Sequence, residues 1–524
     1  MSLLNVRARI PGLLLLLCAA GLAQTAPPAD IDAWVARAMK QFEVPGIAVA
    51  VVKDGRPVLV KGYGVRKLGE PAPVDEYTLF GIASNSKAFT AAAIAMLVDE
   101  GKLAWDDPVQ KHLPSFQMYD PFVTRELTVR DLLCHRTGLG LGAGDLLFWP
   151  DTDVTRDQVV AAARWIRPAS SLRSRYAYNN LMFVVAGQVV AAASGKSWDD
   201  FVRERIFGPL GMTQSRIAVN GRPGFNFAAP HSRGWRLQGT LTPIPPTQDR
   251  TWAAAAGIRS NVVDLSKWVA AHLNGGKVNG KALWSNAAAR EMWSAQTIVP
   301  ISEPREEAFK AAKPNFSAYG LGWSLRDYHG TKIVSHGGAL TGMLTTVVMA
   351  PSEKLGIIVL TNQEEGGAFS AIVNHVLDHY LKLPETDWIA AYEASRKRSL
   401  SRATETEAKQ AKARNADSKP SLSLGAYAGE YRDAWYGNAA VALEGGKLVL
   451  RMSRTPAMVA DLEHWQYDTF TARWRDKTIP DAFVTFALNV EGKVGQVTMT
   501  AVSQLADFSF DYDDLLFTPV RAGR

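Results

Sequence analysis

Ser84 and Lys87 are the residues of this chain whose types and spacing most directly predict chemistry. A small, polar segment ends at Ser84, and the alanine-rich stretch that follows, residues 88–98, predicts a helix. Residues spaced i and i+3 lie on one face of a helix, so the two side chains can meet at its first turn. That turn also offers unpaired N–H groups and the positive end of the helix dipole. A hydroxyl, an amine that can take its proton and N–H groups that can hold an oxyanion are what nucleophilic acyl transfer needs.

Two further groups of residues accompany this pair. Tyr178 and Asn180 stand just before the apolar stretch 181–193, which predicts a helix, and His336 and Gly338 stand on a predicted strand. Each group lies at the boundary of an element, where side chains can converge on a cleft. Taken singly, each has an ordinary structural explanation, namely a helix N-cap, a core aromatic and a bulge in an edge strand.

Two weaker candidates involve histidine. Cys134 precedes His135, but adjacent side chains rarely face each other, and a cysteine flanked by apolar residues usually belongs to the core. His375 and His379 have the spacing of a metal-binding pair on one helix, but the sequence offers no third ligand, so a surface face of a helix is the preferred interpretation. We expect no metal site and no cofactor.

In this order, the three main groups resemble the motifs of the serine β-lactamase and penicillin-binding-protein family. The likeness is to its class C-like branch, which includes carboxylesterases, D-stereospecific aminopeptidases and the other S12 peptidases. It covers residues 30–385 and implies an α/β (α+β) fold, an antiparallel sheet flanked by helices with an all-helical lobe. No single-residue structural explanation accounts for all three groups in the family's order. Flanking segments of the family's type support the likeness: 132–139, 209–212, 319–323 and 355–362.

The rest of the chain predicts a second domain. Residues 386–420 are charged and poor in apolar residues, which indicates a linker or a solvated helix. From residue 421 to 520 the pattern has period two with glycine turns, which predicts an antiparallel β-barrel, and the phenylalanines and tyrosine at positions 508, 510 and 512 continue it. This domain resembles the lipocalin-like β-domain that is often appended to such peptidases.

The resemblance implies a role for each candidate residue. Ser84 is the expected nucleophile and forms an acyl-enzyme, with Lys87 or Tyr178, or the two together, as the base. Asn180 is expected to orient Lys87 or a substrate amide. The expected oxyanion hole joins the backbone N–H of Ser84 to that of Ala339, which follows His336 and Gly338 on the strand. The rival hydroxyl Ser86 has no lysine three residues on.

The third motif departs from the family pattern because it begins with His336 rather than lysine. A histidine is mostly neutral near pH 7 and attracts the carboxylate of penicillins less strongly. We therefore expect little β-lactam hydrolysis and a peptidase acting on short peptides, including D-residue-containing or linearised cyclic ones. Two alternatives remain open: a carboxylesterase whose acyl pocket is lined by Phe148 and Trp149, and a penicillin-binding or sensor module with little turnover.

Composition and charge narrow the function further. The chain has 524 residues, of which 47% are apolar and 21% charged, which indicates a globular protein of two or more domains. Its net charge is +7 and its basic residues are scattered, so a nucleic-acid-binding face is not expected. Arg7 and Arg9, the short apolar run 13–17 and a small-residue ending predict a signal peptide, residues 1–23, cleaved near Ala23.

An exported protein, periplasmic or secreted from a bacterium, is therefore expected. The apolar run is too short to span a membrane, so no stable insertion should follow cleavage. Cys134 would then be the lone cysteine, and no internal disulfide can form. The expected partner is a small peptide or ester substrate, and the sequence leaves the oligomeric state open.

Overall fold

The chain folds into an α/β domain followed by a closed β-barrel, which confirms the predicted fold class. A computed structural model describes residues 26–218, 225–248 and 250–520. The predicted signal peptide, residues 1–23, lies outside the described residues. In the first domain an eight-stranded antiparallel sheet carries helices on both faces.

The central sheet has the strand order β3-β4-β5-β6-β7-β8-β1-β2. Its strands are β1 (Gly46–Lys53), β2 (Arg56–Gly64), β3 (Thr297–Ile298), β4 (Ser317–Tyr319), β5 (Ser324–Tyr328), β6 (Thr331–Leu340), β7 (Met343–Ala350) and β8 (Leu355–Thr361). The strands β1 and β2 form a hairpin, in which Asp54 and Gly55 both have positive φ, as this residue pair favours.

Six long helices accompany the sheet. They are α1 (Ile31–Phe42), α2 (Ser86–Asp99), α3 (Leu181–Ser194), α4 (Val262–Leu273), α5 (Gly366–Leu381) and α6 (Trp388–Ala413). Shorter helices are Val109–His112, Pro121–Glu126, Val129–Leu132, Arg156–Ala162, Trp198–Val202, Ala253–Ala256, Asn286–Met292 and Glu307–Ala311. Thr128 caps the helix Val129–Leu132 in a reciprocal capping box with Asp131.

The two faces of the sheet pack against different helices. Alternate residues of β1 enter different cores because successive side chains of a strand point to opposite faces. Ile47 and Val49 pack with α1 and α5. Ala48 and Ala50 pack with the inserted helices, which lie between β2 and β3 in the chain. Covering both faces explains why β1 is a continuous apolar run rather than an alternating one.

Helix α2 lies at the centre of the inserted helices. Every residue from Ser86 to Leu97 is buried, and a helix that is apolar on all sides is stable only where other elements surround it. The small alanine side chains let those elements approach closely. The turn that carries Ser84 is therefore held at the junction between the sheet and the helical region.

Helix α6 occupies most of the region expected to be a linker. It has 26 residues and a mostly polar surface, which agrees with the alternative of a solvated helix. Its first residue anchors it, because Trp388 Nε1 donates a 2.6 Å hydrogen bond to Asp378 on α5. His375, also on α5, is not on a surface face as expected, since it is buried, stacks on Trp34 with ring centroids 4.0 Å apart, and meets Asp30 at 2.9 Å.

The C-terminal domain is an eight-stranded closed barrel. Its strands are β9 (Gly429–Asp433), β10 (Gly437–Glu444), β11 (Lys447–Met452), β12 (Val459–Gln466), β13 (Thr469–Trp474), β14 (Ala482–Leu488), β15 (Val494–Ala501) and β16 (Leu516–Pro519). The aromatic pattern at 508, 510 and 512 does not form a strand, and that prediction is wrong. The segment between β15 and β16 leaves the barrel and contacts the α/β domain.

Among the described residues no single helix is long and apolar enough to cross a membrane. The helices Leu181–Ser194 and Trp198–Leu210, bent by 76° relative to each other, meet the criteria of length and composition only as a pair.

Candidate active site

Ser84 lies in a short 3₁₀ turn, Ala83–Asn85, that runs directly into α2. Its side chain is partly exposed, whereas the residues on either side of it are buried. Ala83 has a φ of 49°, which is uncommon for a residue with a side chain. The turn therefore presents the hydroxyl to solvent from an otherwise buried segment.

Lys87 is fully buried beneath this hydroxyl. Its Nζ donates to Ser84 Oγ at 3.0 Å, to Asn180 Oδ1 at 2.6 Å and to the carbonyl of Ala255 at 3.1 Å. Burial lowers the pKa of Lys87 to about 7, while the charge of Asp145 acts in the opposite direction. An amine with this pKa is partly neutral at neutral pH, and its lone pair can then accept the proton of Ser84.

Asp145 is a buried carboxyl that the sequence reasoning missed. Asn180 Nδ2 donates to Asp145 Oδ2 at 2.7 Å while Asn180 Oδ1 accepts from Lys87, so the amide links the carboxyl to the amine. Burial raises the pKa of Asp145 to about 7. The sequence offered little signal for this residue, which is a single acid after a glycine-rich loop and 58 positions from Lys87.

Tyr178 adjoins the pair as predicted, but burial acts against a tyrosinate. The phenol forms a hydrogen bond with Ser84, and the Lys87 Nζ lies 4.9 Å from the centre of its ring. The low-polarity surroundings raise the pKa of Tyr178 well above 10, although the bond to Ser84 lowers it. At neutral pH the phenol is protonated, so of the two candidate bases Lys87 is the one poised to accept a proton.

The ring of His336 lies beside that of Tyr178, with the two ring centroids 6.4 Å apart. It is buried, Tyr319 lies 2.7 Å from its Nε2, and its Nδ1 lies 2.6 Å from the carbonyl oxygen of Gly337. Because a carbonyl only accepts, Nδ1 carries the hydrogen and Nε2 accepts from the tyrosine. Burial and the charge of Lys87 lower the pKa of His336 to about 3. A buried, neutral ring with both nitrogens occupied offers no charge to a substrate, and contact between His336 and substrate stays a prediction.

Gly338 allows β6 to lie directly against the turn of the nucleophile. A Cβ at this position would stand 2.2 Å from the carbonyl oxygen of Ile82 and 2.5 Å from Thr345 Oγ1. Only glycine fits such a distance. Ala339, the next residue, is exposed, and its backbone N–H as part of the oxyanion hole stays a prediction.

The structure also removes three alternatives. Ser86 is buried and its Oγ accepts a hydrogen bond from Ile258 N at 3.1 Å, so it is structural. Cys134 is buried in a way that raises the pKa of its thiol to about 12, which excludes a thiolate nucleophile. Phe148 and Trp149 do not line an open acyl pocket, because both are buried against Trp252.

No group of three or more histidine, cysteine, aspartate or glutamate side chains in the described ranges could hold a metal ion. The groups that the structure brings together at Ser84 are the amine of Lys87, the phenol of Tyr178 and the amide of Asn180, which links the amine to Asp145.

Comparisons with known proteins show the family of the chain. The family model described as Beta-lactamase matches residues 31–382, and a model described as a domain of unknown function (DUF3471) matches residues 413–519. The "Unguisins hydrolase ungD'" of Aspergillus campestris is 31% identical over 379 residues, which cover 70% of this chain and 68% of the relative. The "Unguisins hydrolase ungD" of Aspergillus violaceofuscus is 28% identical over 487 residues, 84% of this chain and 82% of the relative.

Solved structures show the same fold. A structure of the octameric penicillin-binding protein homologue from Pyrococcus abyssi superposes with a TM-score of 0.58 at 22% identity, covering 93% of this chain and 99% of that one. SurE superposes with a TM-score of 0.55 at 20% identity, covering 96% and 100%. With the family model matching residues 31–382 and hydrolases among its relatives, the chain belongs to the β-lactamase family and is a hydrolase of the β-lactamase fold.

Proposed function

We propose that the protein is a serine peptidase that cleaves short or unusual peptides through an acyl-enzyme on Ser84. The observation that carries this proposal is the 3.0 Å contact between Ser84 Oγ and the Nζ of Lys87, an amine whose pKa burial lowers to about 7. An amine of this kind can be neutral when substrate arrives and protonated once it has taken the serine proton.

The proposed reaction needs only groups of this chain. Ser84 Oγ attacks the substrate carbonyl while Lys87 takes the hydroxyl proton, and the N–H groups of Ser84 and Ala339 hold the oxyanion. The C–N bond then breaks as the leaving amine receives a proton from Lys87, with Tyr178 positioned to pass it on. Water attacks the ester in a second cycle while Lys87 accepts its proton. The C–O bond to Ser84 then breaks as Lys87 returns that proton to Oγ, and the acid product leaves.

Proton donation favours a peptide substrate over an ester. An amine leaves only when it is protonated, whereas an alkoxide of low basicity leaves without help. The paired Lys87 and Tyr178 at Ser84 supply such a donor. The acyl pocket expected for a carboxylesterase loses its support, because Phe148 and Trp149 are buried. Relatives named unguisins hydrolases support hydrolysis as the reaction class.

The third motif supports low activity toward β-lactams. In the proposed site, the position that would attract a penicillin carboxylate holds a buried and neutral His336. A penicillin-binding or sensor role would leave a lasting adduct on Ser84, which the complete set of Ser84, Lys87 and Tyr178 does not favour.

The test is intact-mass spectrometry and turnover with a defined panel. The panel holds D- and L-aminoacyl peptides, linear oligopeptides, a p-nitrophenyl ester and nitrocefin. We expect peptide cleavage with a transient adduct on Ser84, abolished in Ser84→Ala and unchanged in Ser352→Ala, a surface serine control. Ester cleavage without peptide cleavage would replace the proposal by a carboxylesterase. A lasting adduct would favour the sensor, and activity retained by Ser84→Ala would contradict the nucleophile.

A further inference from the structure

The segment between β15 and β16 of the barrel lies against the α/β domain beside the active site. Asp511 accepts hydrogen bonds from the backbone N–H groups of Gly144, at 2.6 Å, and Leu146, at 3.2 Å. The carbonyl of Phe508 comes so close to Gly142 that a Cβ there would stand 2.4 Å from its oxygen. The barrel domain therefore holds both ends of the turn that carries Asp145.

Ser509 reaches from this segment to Asp145 itself. Its Oγ donates to Asp145 Oδ2 at 2.8 Å, and both side chains are buried. The same carboxylate oxygen accepts from Asn180, and Asp145 Oδ1 has no hydrogen-bond partner among the described residues. Because a buried carboxylate has lost its water, the stability of its ionised form depends strongly on each of the few hydrogen bonds that it accepts.

A continuous path of hydrogen bonds then leads to the nucleophile. It runs from Ser509 to Asp145, through the Asn180 amide to Lys87 and on to Ser84. An amide that donates at one end and accepts at the other is fixed in one orientation, and it in turn fixes the amine. Networks of this kind depend on every member because each bond polarises the next.

We propose that Ser509, supplied by the C-terminal barrel, is a positioning residue that holds Lys87 against Ser84 through Asp145 and Asn180. The inference rests on the proposed function, because it assigns Lys87 the role of base. It makes the barrel part of the catalytic apparatus rather than an appended module. Ser509 itself touches neither Ser84 nor Lys87 by hydrogen bond, so its effect is indirect.

The electrostatic effect of removing the Ser509 hydroxyl has a defined sign. The hydrogen bond lowers the pKa of Asp145, and the charge of Asp145 raises the pKa of Lys87. Without the hydroxyl, Asp145 holds its proton to higher pH and the pKa of Lys87 falls. The other groups that face Asp145, namely Asp507 and Asp511, and those that face Lys87, namely His135, His336 and Tyr178, stay in place.

The test compares Ser509→Ala with Ser509→Thr, which keeps the hydroxyl, and with Ser503→Ala as a matched control. Ser503 is a buried serine of the same segment whose Oγ accepts from Leu505 N at 3.3 Å and is not part of the path. We expect Ser509→Ala to lower kcat about tenfold, less than the roughly 100-fold that misplacement by 1 Å can cause. KM should be unchanged and the acidic limb of the kcat profile should move to lower pH. Ser509→Thr should return both toward wild type.

Two further measurements keep the proposal falsifiable. The double variant Asp145→Asn with Ser509→Ala should lose no more activity than Asp145→Asn alone, because both act along one path. NMR of labelled lysine side chains should show the lowered pKa of Lys87 in Ser509→Ala without any substrate. If Ser509→Ala does not fold, Ser509→Cys replaces it, since a thiol keeps the size of the side chain and is a weaker donor.

Failure of the proposed function and failure of the positioning role of Ser509 give different results. Wild-type protein that cleaves no member of the panel would contradict the proposed function, and the NMR comparison would still decide the positioning role. An active wild type together with a Ser509→Ala variant that matches Ser503→Ala in kcat, in its pH profile and in the pKa of Lys87 would overturn the positioning role alone. Multiplicative losses in the double variant would also overturn it.

Discussion

At the scale of single residues, the site depends on a lysine that is deprived of solvent. The pKa of Lys87 is lowered to about 7, so the neutral amine that can act as base increases as pH rises through 7. We expect kcat/KM for a peptide substrate to rise with pH and to level off above this limb. His135 and His336 do not contribute to it, because burial keeps the pKa of each well below this range.

The pH–rate profile of two variants assigns this limb. Lys87→Arg keeps a positive charge that cannot be lost at these pH values, so activity should fall by roughly 100- to 10,000-fold, the usual contribution of a general base. Asp145→Asn removes the charge that raises the pKa of Lys87, so the limb should move to lower pH. A flat profile between about pH 6 and pH 8 in the wild type would contradict Lys87 as the base.

At the scale of elements, the distance between a strand and a turn sets the geometry of the site. A Cβ on Gly338 would stand 2.2 Å from the carbonyl oxygen of Ile82, so Gly338→Ala must push β6 away from the turn of Ser84. We expect a loss of activity of about 100-fold, because a shift near 1 Å is enough for that. The added group should also lower the free energy of unfolding by about 1–3 kcal/mol.

The neighbouring glycine is the matched control for this prediction. A Cβ on Gly337 would meet nothing closer than the carbonyl oxygen of Thr345 at 4.0 Å. Thermal melts should therefore show Gly337→Ala close to wild type and Gly338→Ala clearly destabilised. Equal stability and equal activity of the two variants would show that the contact between β6 and the turn does not position the nucleophile.

The same scale shows which features the sequence could predict. The spacing of Ser84 and Lys87 is a local pattern, and the two side chains meet at the first turn of a helix as predicted. The Asp54 and Gly55 hairpin and the Thr128 cap are local patterns of the same kind. Asp145 and Ser509 were missed because 364 residues separate these two partners and no periodicity connects them. The hydrogen bond of His336 was missed as well, since the partner of its Nε2 is Tyr319 on another strand.

The segment that carries Ser509 shows a different limit. Alternating aromatic residues at 508, 510 and 512 have the pattern of a strand, but Phe510 packs near Trp149, with ring centroids 6.5 Å apart, instead of inside a barrel wall. An alternation of apolar and polar residues indicates which side chains are buried, but it does not indicate which part of the molecule buries them. Phe508 and Phe510 contact the α/β domain whereas Tyr512 stacks on Trp474 of the barrel, and together they have the pattern of a strand.

At the scale of the whole molecule, the barrel and the α/β domain share one continuous hydrophobic core. Phe510 and Trp149 contact each other across the boundary, and Arg454 of the barrel pairs with Asp153 at 3.2 Å. Two domains that share a core should unfold together, because exposing the shared surface costs both of them. The stability of the barrel should then set the temperature at which hydrolase activity is lost.

Phe470→Ala tests this coupling. The ring is buried inside the barrel among Tyr427 and Phe486, outside the active site, so its removal should cost about 3–5 kcal/mol of barrel stability. We expect one calorimetric transition in wild type and variant alike, with the loss of hydrolase activity shifted to lower temperature in step with it. Val490→Ala, at a fully exposed position of the barrel, is the control and should leave both unchanged. If the barrel of Phe470→Ala melted early while activity persisted to the wild-type temperature, the two domains would be energetically independent, and the hydrogen-bond path from Ser509 would have to survive without a folded barrel to hold it.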